Sequence, residues 1–302
     1  MDRDLLGHFP VVLMVARQSG FAAAAAALGM SPSAVSHAVR AVEDRLGQPL
    51  FVRTTRSVAL TETGRDFVAQ VGPALAAVQD SVERARAAKG KVSGLLRINT
   101  PHLALPLAIT PAVMEMGRLH PDLTIEVTTD DGLVDIVAAG FDAGVRLGEM
   151  IAQDMIAVRL TPPFQALMVA SPDYLAAHGA PETIAELTAH NCIGYRLVSS
   201  EAVYAWELQD GGQDIAVSVT GAVRVTDAAY ARELALAGIG IAYLFEPVVR
   251  TDLAAGRLVQ VLPESAIQEP GLFLYFPRYA ATAPKLRAFL DVLRKIRGKA
   301  SG

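Results

Sequence analysis

Apolar positions in the first fifty residues repeat every three or four residues, and this period predicts three consecutive helices. The first covers Leu5 to Ala16. The second covers Phe21 to Leu28, consists mostly of alanine, the best helix former, and ends at Gly29. The third begins with Ser31 as N-cap followed by proline and runs to about Leu46.

The next segment changes from a helical to an alternating pattern. Two β-prone stretches, Leu50 to Arg53 and Ser57 to Leu60, flank a polar turn and predict a β-hairpin. A long helix then starts within 61–64 and carries an apolar seam at heptad-like spacing, which suits a partner helix. Pro73 is expected to kink it. The seam consists of Phe67, Val71, Leu75, Val78, Val82 and Ala85.

Beyond a small, basic, glycine-punctuated linker at Ala87 to Gly94, short apolar strands alternate with helices. This alternation favours a mostly parallel sheet covered by helices on both faces. A second such set begins near Thr161, and the pattern returns to a strand and a last helix after Glu264. The helices expected in this region cover 105–119, 133–139, 228–237 and 284–295.

Composition narrows the class of protein. The chain has 302 residues, 52% hydrophobic and 19% charged, which is a globular balance. No apolar stretch approaches the roughly 18 residues of a membrane span, and the N-terminus lacks the features of a signal peptide. One cysteine, Cys192, excludes an intramolecular disulfide. We therefore expect a soluble cytoplasmic protein, and its net charge of −4 requires any nucleic-acid surface to be local.

Three helices and a hairpin predict a winged helix-turn-helix, a DNA-binding fold. Ala24 and Ala25 allow the second helix to approach the third closely, and Leu28 fills the space beneath the turn. The alternative for the polar side of the third helix is an ordinary solvated face. The residues expected to contact DNA are Ser31, Pro32, Ser33, Ser36, His37, Arg40, Arg53, Thr54 and Arg56.

The segment "GFAAAAAALGMSPSAVSHAVRAVEDRLGQPLFVRTTRSVALTETG" resembles the LysR-type transcriptional regulators. The later segments "LRINTP", "FDAGVRLG" and "LAGIGIAYL" extend the resemblance over nearly the whole chain. The sequence departs from the family pattern at Pro32, where glutamine is frequent, and at four alanines that replace frequent polar or basic residues. These are Ala22, Ala23, Ala26 and Ala27, and their methyl groups offer fewer phosphate contacts.

The resemblance implies an α/β architecture with an N-terminal all-α winged helix-turn-helix. The expected units are a DNA-binding domain at 1–62, a linker and dimerisation helix at 63–90, and an effector-binding domain at 91–302. That last domain would have two α/β lobes like a type 2 periplasmic binding protein. Lobe 1 would cover about 91–161 and 268–302, lobe 2 about 162–267, with crossings near Thr161 to Pro163 and Ile267 to Pro270.

A ligand of such a domain lies between the lobes, at strand ends and helix N-termini. In "NTPHLALP", Thr100 and His102 follow a strand and Pro101 opens a helix, although a simple helix cap is the alternative for Thr100. If Arg146 lies in the cleft, its guanidinium group favours an anionic effector; the alternative is that it forms an internal salt bridge with Glu149 or Asp142. For each aromatic residue, core packing is the alternative. The resemblance implies further lining from Thr128, Thr129, Arg146, Tyr204, Trp206, Thr226 and Phe245.

Three other motifs carry little chemistry. Gly238 and Gly240 lead from a helix into a strand, the reverse of a dinucleotide fingerprint. His190 and Cys192 lack a second ligand pair for a metal, and the region of Ser171 lacks a nucleophile elbow. We therefore expect no catalytic residue, metal or cofactor.

The sequence thus predicts a ligand-responsive, DNA-binding regulator rather than an enzyme. The expected partners are double-stranded operator DNA, a small-molecule effector, further copies of the chain in a homodimer or homotetramer, and RNA polymerase, but no membrane. Two alternatives from other classes stay open at this point. One is a small-molecule binding protein whose helix-turn-helix only dimerises, and the other is an enzyme.

Overall fold

The computed structural model describes residues 3–53, 58–87, 92–132, 134–198 and 200–300. Within these ranges no helix combines the length and the apolar character that crossing a membrane would require. The helices are α1 (Arg3–Leu6), α2 (Phe9–Gln18), α3 (Phe21–Leu28), α4 (Pro32–Leu46), α5 (Glu62–Ala87), α6 (Thr110–Leu119), α7 (Pro172–His178), α8 (Ala228–Leu236), α9 (Glu246–Ala254) and α10 (Pro284–Ala300).

The strands fall into four sheets. They are β1 (Phe51–Arg53), β2 (Val58–Leu60), β3 (Gly94–Thr100), β4 (Leu123–Thr129), β5 (Ala143–Leu147), β6 (Met155–Arg159), β7 (Phe164–Ala170), β8 (Cys192–Tyr195), β9 (Trp206–Asp210), β10 (Gln213–Val217), β11 (Arg224–Val225), β12 (Ile241–Phe245), β13 (Val259–Val261), β14 (Ile267–Glu269) and β15 (Leu272–Pro277). β1 pairs with β2 and β9 with β10 as antiparallel hairpins.

Helices α2, α3 and α4 pack around one small core that includes the fully buried Val12, Val35 and Val39. The first predicted helix is in fact two, because α1 ends at Leu6 and α2 begins anew at Phe9, with a proline in its first turn. Strands β1 and β2 form the expected hairpin beside these helices. The turn that joins them, 54–57, lies outside the described residues.

Helix α5 serves two surfaces. At its start Phe67 packs edge-to-face on Phe9, with ring centroids 5.2 Å apart, so this end of the predicted seam belongs to the helix-turn-helix core. Further along, Val78 and Val82 are 61% and 47% exposed. The helix also packs against α10 and the 3-10 turn Arg278–Thr282. Among the seam residues whose side chains the structure describes, Val78 and Val82 are thus the ones that stay exposed in the single chain.

Lobe 1 is a five-stranded sheet in the order β4-β3-β5-β15-β6. β3 runs parallel to β4 and β5, whereas β15 runs antiparallel to β5 and β6. Helices α6 and α10 cover its main core, in which Ile98, Leu274 and Phe289 are completely buried. Four of these five strands therefore run in one direction, as expected for a mostly parallel sheet, and β15, which returns from lobe 2, runs in the opposite direction.

Lobe 2 repeats the arrangement with the order β11-β8-β12-β7-β13, and β14 also pairs with β7. β8 is parallel to β11 and β12, and β7 is antiparallel to β12, β13 and β14. Helices α8 and α9 pack against one of its cores, and the β9-β10 hairpin contributes to the other. The sequence pattern did not predict α7, α9 or this hairpin.

The chain passes between the lobes twice, from β6 to β7 and from β14 to β15. The crossings are bonded to each other: Leu160 N donates to Leu272 O (2.7 Å), and Leu272 N donates to Thr161 Oγ1 (2.9 Å). Gly271, with φ +90°, passes so close to the Pro162 carbonyl that a Cβ would overlap it. The second crossing follows β14, so Ile267–Glu269 lies in lobe 2.

One predicted helix is absent. The described part of the expected helix at 133–139 forms turns, closed by backbone bonds such as Ala139 N to Asp135 O (2.9 Å). These turns end at Gly140, whose φ is +69°. The guanidinium group of Arg17, at the end of α2, lies against Gly140, so the DNA-binding domain contacts lobe 1 here.

A buried carboxylate fixes α8 against α9. Asp252 is completely buried and forms ion pairs with Arg232 of α8 and with Arg257, whose Nε is 2.9 Å from Asp252 Oδ1. Hydrogen bonds from Arg232 are the main cause that lowers the pKa of Asp252, and bonds from Arg257 add to it. Because α8 begins at the junction between the lobes, this cluster sets the position of its N-terminus.

We predict that the exposed valines of α5 form a homo-oligomer contact. Burying a valine contributes roughly 1.5 to 3 kcal/mol, so Val78→Asp or Val82→Asp should shift the protein toward monomer. Ala77→Asp adds the same charge at an exposed position about 100° from Val78 and about 140° from Val82 around the helix, and is the matched control. Light scattering at micromolar concentration measures this, and a monomeric wild type would contradict the prediction.

We also predict that Asp252→Ala lowers the free energy of unfolding by about 1 to 3 kcal/mol, because two arginines lose their charged acceptor. The folded pKa lies below the unfolded one, so this stabilisation is present above the unfolded value and is lost as pH falls through the folded value. Glu246→Ala breaks only an exposed pair with Arg250 and should change little. Urea unfolding of the variants at neutral and acidic pH measures both effects, and equal losses would contradict the assignment.

Candidate functional site

The outer face of α4 presents a polar stripe. Ser33, His37 and Arg40 are exposed and recur at i, i+4 and i+7, which places them on one side of the helix. Val35 and Val39 point into the core and hold this face outward. The stripe therefore offers a hydroxyl, an imidazole and a guanidinium group to an external partner.

The start of α4 is capped by its own serine. Ser31 Oγ accepts a hydrogen bond from Ala34 N (3.2 Å) and lies 2.9 Å from Ser33 Oγ. Ser31 and Pro32 are exposed, whereas Ser36 is half-buried at the edge of the stripe. Arg53 ends β1, but its side chain lies outside the described residues, as do Thr54 and Arg56, so the wing contacts stay a prediction.

The alanine run of α3 divides into two sets. Ala24 and Ala25 are buried against the neighbouring helices, as the close-approach argument requires. The other set is exposed and offers only methyl groups, so it donates no hydrogen bond to phosphate; it consists of Ala22, Ala23, Ala26 and Ala27. Residues 1–62 hold six arginines against five acidic residues. The polar stripe of α4 is thus surrounded by little additional positive charge.

The carboxyl ends of strands from both lobes meet at the junction between them, which we call the interlobe cleft. In lobe 1, β3 ends at Thr100 and β4 at Thr129, and Asp130 N donates to Thr100 O (3.0 Å). In lobe 2, β8 ends at Tyr195 and β11 is followed by Thr226. Tyr195 Oη donates to Thr226 O (3.0 Å). Strand ends of this kind form the binding sites of open α/β sheets.

Three side chains meet across the cleft. His102 and Asp131 belong to lobe 1, and Asp227 is the N-cap of α8 in lobe 2. One nitrogen or oxygen atom from each lies within 4.8 Å of the others. His102 N donates to Asp131 Oδ1 (3.0 Å), and Asp227 Oδ1 accepts from Tyr230 N (2.7 Å). The sequence pattern missed both aspartates, although Asp131 lies two residues after the end of β4 and Asp227 is the N-cap of α8.

Two predicted effector contacts are enclosed in lobe 1. Thr100 is completely buried, and its hydroxyl lies 3.3 Å from the Pro101 carbonyl. Arg146 is only 3% exposed and donates to Asn99 Oδ1 (2.7 Å) and to the carbonyls of Val145 and Gly132. Neither side chain is therefore open to a ligand at the mouth of the cleft, and Arg146 instead positions the loop that carries Asp131.

Within the described residues, the hydrogen-bond partners of Arg146 do not include Asp142. Asp142 is occupied by Lys285 Nζ (2.9 Å) and by Arg97 N (2.8 Å), and the Glu149 side chain lies outside the described residues. Burial lowers the pKa of Arg146, and its Nε has no hydrogen-bond partner among the described residues. A carbonyl and amide environment, rather than a salt bridge to Asp142, holds this guanidinium group.

The mouth of the cleft is acidic. Burial, followed by the nearby Asp131, Asp227 and Asp130 carboxylates, raises the pKa of Tyr195 to about 12. These carboxylates would repel an anion. Arg146, whose charge was the reason to expect an anionic effector, is buried. The expectation of an anionic effector is therefore not supported at this surface.

The remaining predicted lining residues fall into two groups. Thr128, Thr129 and Thr226 are exposed near the cleft at the ends of their strands. The aromatic residues follow the packing alternative: Trp206 is 1% exposed in a core of lobe 2 and stacks on Tyr243. Tyr204 packs against that same core, and Phe245 packs on Phe164 at the crossing, so the three do not form one aromatic wall.

The motifs set aside from the sequence have structural roles. Gly240 packs so closely on the Asn191 carbonyl that a Cβ would overlap it. Burial raises the pKa of the Cys192 thiol to about 11, which leaves it a poor nucleophile. His190 Nδ1 lies 3.2 Å from Tyr174 Oη, and Ser171 caps α7 by accepting from Tyr174 N.

Comparison with protein families agrees with this division of the chain. Residues 6–65 match the bacterial regulatory helix-turn-helix proteins of the LysR family. Residues 89–297 match the LysR substrate-binding domain. The chain therefore belongs to the LysR family of transcriptional regulators, a family of DNA-binding, effector-responsive proteins rather than enzymes.

Individual relatives match over almost their whole length. The uncharacterized HTH-type transcriptional regulator YcaN of Escherichia coli K12 is 35% identical over 96% of this chain and 94% of its own. The regulator PgrR from the same strain is 33% identical over 97% and 98%. The structure of CrgA, a LysR-type transcriptional regulator from Neisseria meningitidis, has a TM-score of 0.59 and 26% identity over 96% and 98%.

We predict that the α4 stripe reads the operator. His37→Ala and Arg40→Ala should each weaken operator binding by about 1 to 3 kcal/mol while the fold stays intact, since each removes a group that can bond a base edge. Arg45→Ala removes an equal charge from another side of the same helix and is the matched control. Fluorescence anisotropy with an operator selected from random duplexes measures this, and unchanged affinity in both variants would move the reading surface elsewhere.

Proposed function

We propose that an effector in the interlobe cleft controls how this regulator binds its operator. The stripe of Ser33, His37 and Arg40 would enter the major groove, with Ser36 at its edge and the wing residues Arg53, Thr54 and Arg56 on the flanking backbone. The observation that carries the proposal is the meeting of strand ends from both lobes, where Asp131, two residues after Thr129, lies close to Asp227, the residue after Thr226.

In this proposal the two lobes change their relative position about the crossings that connect them. A ligand that touches both lobes stabilises the arrangement in which they are close, and it shifts the protein toward that arrangement by its differential affinity. Lobe 1 contacts the DNA-binding domain through Arg17 and packs against α5 through α10. A change in lobe position would thus reach the spacing of two DNA-binding domains in an oligomer, with a coupling of about 1 to 3 kcal/mol.

The exposed polar groups of the cleft indicate which chemical groups an effector would carry. Thr129 and Thr226 offer hydroxyl groups from opposite lobes, and the nearby carboxylates favour neutral or positively charged groups on the effector. We place the protein in the cytoplasm because its operator is there. Contact with RNA polymerase stays a prediction.

The test uses two threonines on one strand. Thermal-shift screening of small polar metabolites first identifies an effector, because a ligand of the folded state raises apparent stability. We expect Thr129→Val to weaken the binding of that effector by about 1 kcal/mol through loss of one hydrogen bond. Thr124→Val makes the same change on an exposed threonine at the other end of β4 and should leave affinity unchanged. Calorimetry on the full chain measures both.

Equal affinity in wild type and Thr129→Val would move the effector away from this end of β4. DNA binding of both threonine variants, measured without effector, should match wild type. A loss of DNA binding there would show that the substitution damages the regulator itself rather than its effector site.

A further inference from the structure

The cleft brings together a ligand set that the regulator function does not require. His102 and Asp131 from lobe 1 and Asp227 from lobe 2 place one nitrogen or oxygen atom each within 4.8 Å of one another. His102 is exposed, and the aspartates are half-buried. Asp131 and Asp227 are 96 positions apart in the chain, so folding alone assembles the set.

Hydrogen bonds within the protein use only part of the bonding capacity of these three side chains. Asp131 Oδ1 accepts from the backbone amide of His102, and Asp227 Oδ1 caps α8 by accepting from Tyr230 N, so one oxygen of each carboxylate already has a partner. His102 Nδ1 is 3.4 Å from Asp131 Oδ2, longer than a normal hydrogen bond between such atoms. Backbone amides thus hold one oxygen of each carboxylate, and the His102 imidazole lies beside Asp131.

The negative charge around the three residues favours the binding of a cation. Asp130 adds a third carboxylate next to Asp131, and all three lie close enough to Tyr195 to raise the pKa of its phenol. Within the part of the chain that the structure describes, no lysine or arginine forms an ion pair with Asp131 or Asp227. The nearest guanidinium, that of Arg146, is bonded to Asn99 and to backbone carbonyls.

The donor types select the class of cation. One imidazole nitrogen with two carboxylate oxygens suits Zn²⁺ and neighbouring divalent transition metals, whereas Mg²⁺ and Ca²⁺ prefer oxygen-only sites. Around tetrahedral Zn²⁺, with bonds of about 2.0 to 2.2 Å, ligand atoms are about 3.4 Å apart. Atoms now up to 4.8 Å apart would therefore be drawn together, and lobe 2 would move toward lobe 1.

We propose that His102, Asp131 and Asp227 form a site for a divalent transition metal, Zn²⁺ in the first place, that fastens the two lobes together across the cleft. Three protein ligands leave a fourth position open for water or for an effector atom. The site lies at the mouth of the cleft of the proposed function, but metal binding itself depends on neither effector nor DNA.

Calorimetry of Zn²⁺ with the tag-free, EDTA-treated full chain tests the proposal. We expect one equivalent per chain, and weaker or no binding of Mg²⁺. Asp227→Asn keeps an N-cap for α8, and Asp131→Asn keeps an acceptor for His102 N, so neither should unfold the protein. Together with His102→Ala, each should weaken Zn²⁺ binding by at least about tenfold.

Matched controls separate this site from the rest of the surface. His120→Ala removes a histidine at the end of α6, and Asp173→Asn removes an exposed carboxylate on α7; both should bind Zn²⁺ like wild type. Zn²⁺ should also raise the melting temperature of wild type and of both controls but not that of the site variants. The visible spectrum of bound Co²⁺ should show tetrahedral coordination that is lost in His102→Ala.

The proposal is overturned if wild type binds no Zn²⁺, or if the controls lose affinity as much as the site variants. Wild-type affinity in Asp227→Asn would also overturn it, because the metal would then engage one lobe only. Operator binding by the same variants reports separately on the regulator function. Variants that bind the operator normally but have lost Zn²⁺ support the metal site and leave the regulator function untouched.

Discussion

The hydrogen bonds between the two interlobe crossings are the constraint on which the rest of the effector domain depends. Leu272 bonds through its carbonyl to Leu160 and through its amide to Thr161, so the two chain segments pass side by side. In the part of the chain that the structure describes, these two segments join lobe 1 to lobe 2, so the pair holds the lobes at their junction. The crossings lie at one end of the cleft, and His102, Asp131 and Asp227 approach one another across its mouth.

The burial of Arg146 and the acidic mouth of the cleft are connected through the loop that carries Asp131. Burying a guanidinium group is costly unless it is hydrogen-bonded, and the two terminal nitrogens of Arg146 donate to Asn99 and to two backbone carbonyls, whereas its Nε has no partner among the described residues. It holds the Gly132 carbonyl, and thereby the loop on which Asp131 faces lobe 2. The arginine thus acts through the loop, and the aspartate is the group that a ligand would meet.

The DNA-binding domain carries little positive charge on its exposed helical faces. The exposed alanines of α3 leave the phosphate backbone to other residues, and the polar stripe on α4 is short. Phosphate contacts set most of the salt dependence of DNA binding. A regulator with few of them depends more on base contacts and on pairing two domains, which α5 would provide through Val78 and Val82.

The sequence by itself determined the helix-turn-helix and the outward face of α4, because local periodicity and capping depend on neighbouring residues. Ser31, Gly29 and the buried Ala24 and Ala25 follow directly from such rules. Most strands were also predictable, since continuous apolar runs mark buried strands, and the two lobes followed from the family resemblance.

Only the tertiary structure decided the sheet directions, the burial of Trp206 and the partners of Arg146, because each depends on residues far away in the chain. The same reason explains why no sequence pattern brought His102, Asp131 and Asp227 together. Two of them precede and one follows the crossing into lobe 2, and short-range spacing carries no information about which strand ends will meet. Folding both lobes around the paired crossings creates that proximity.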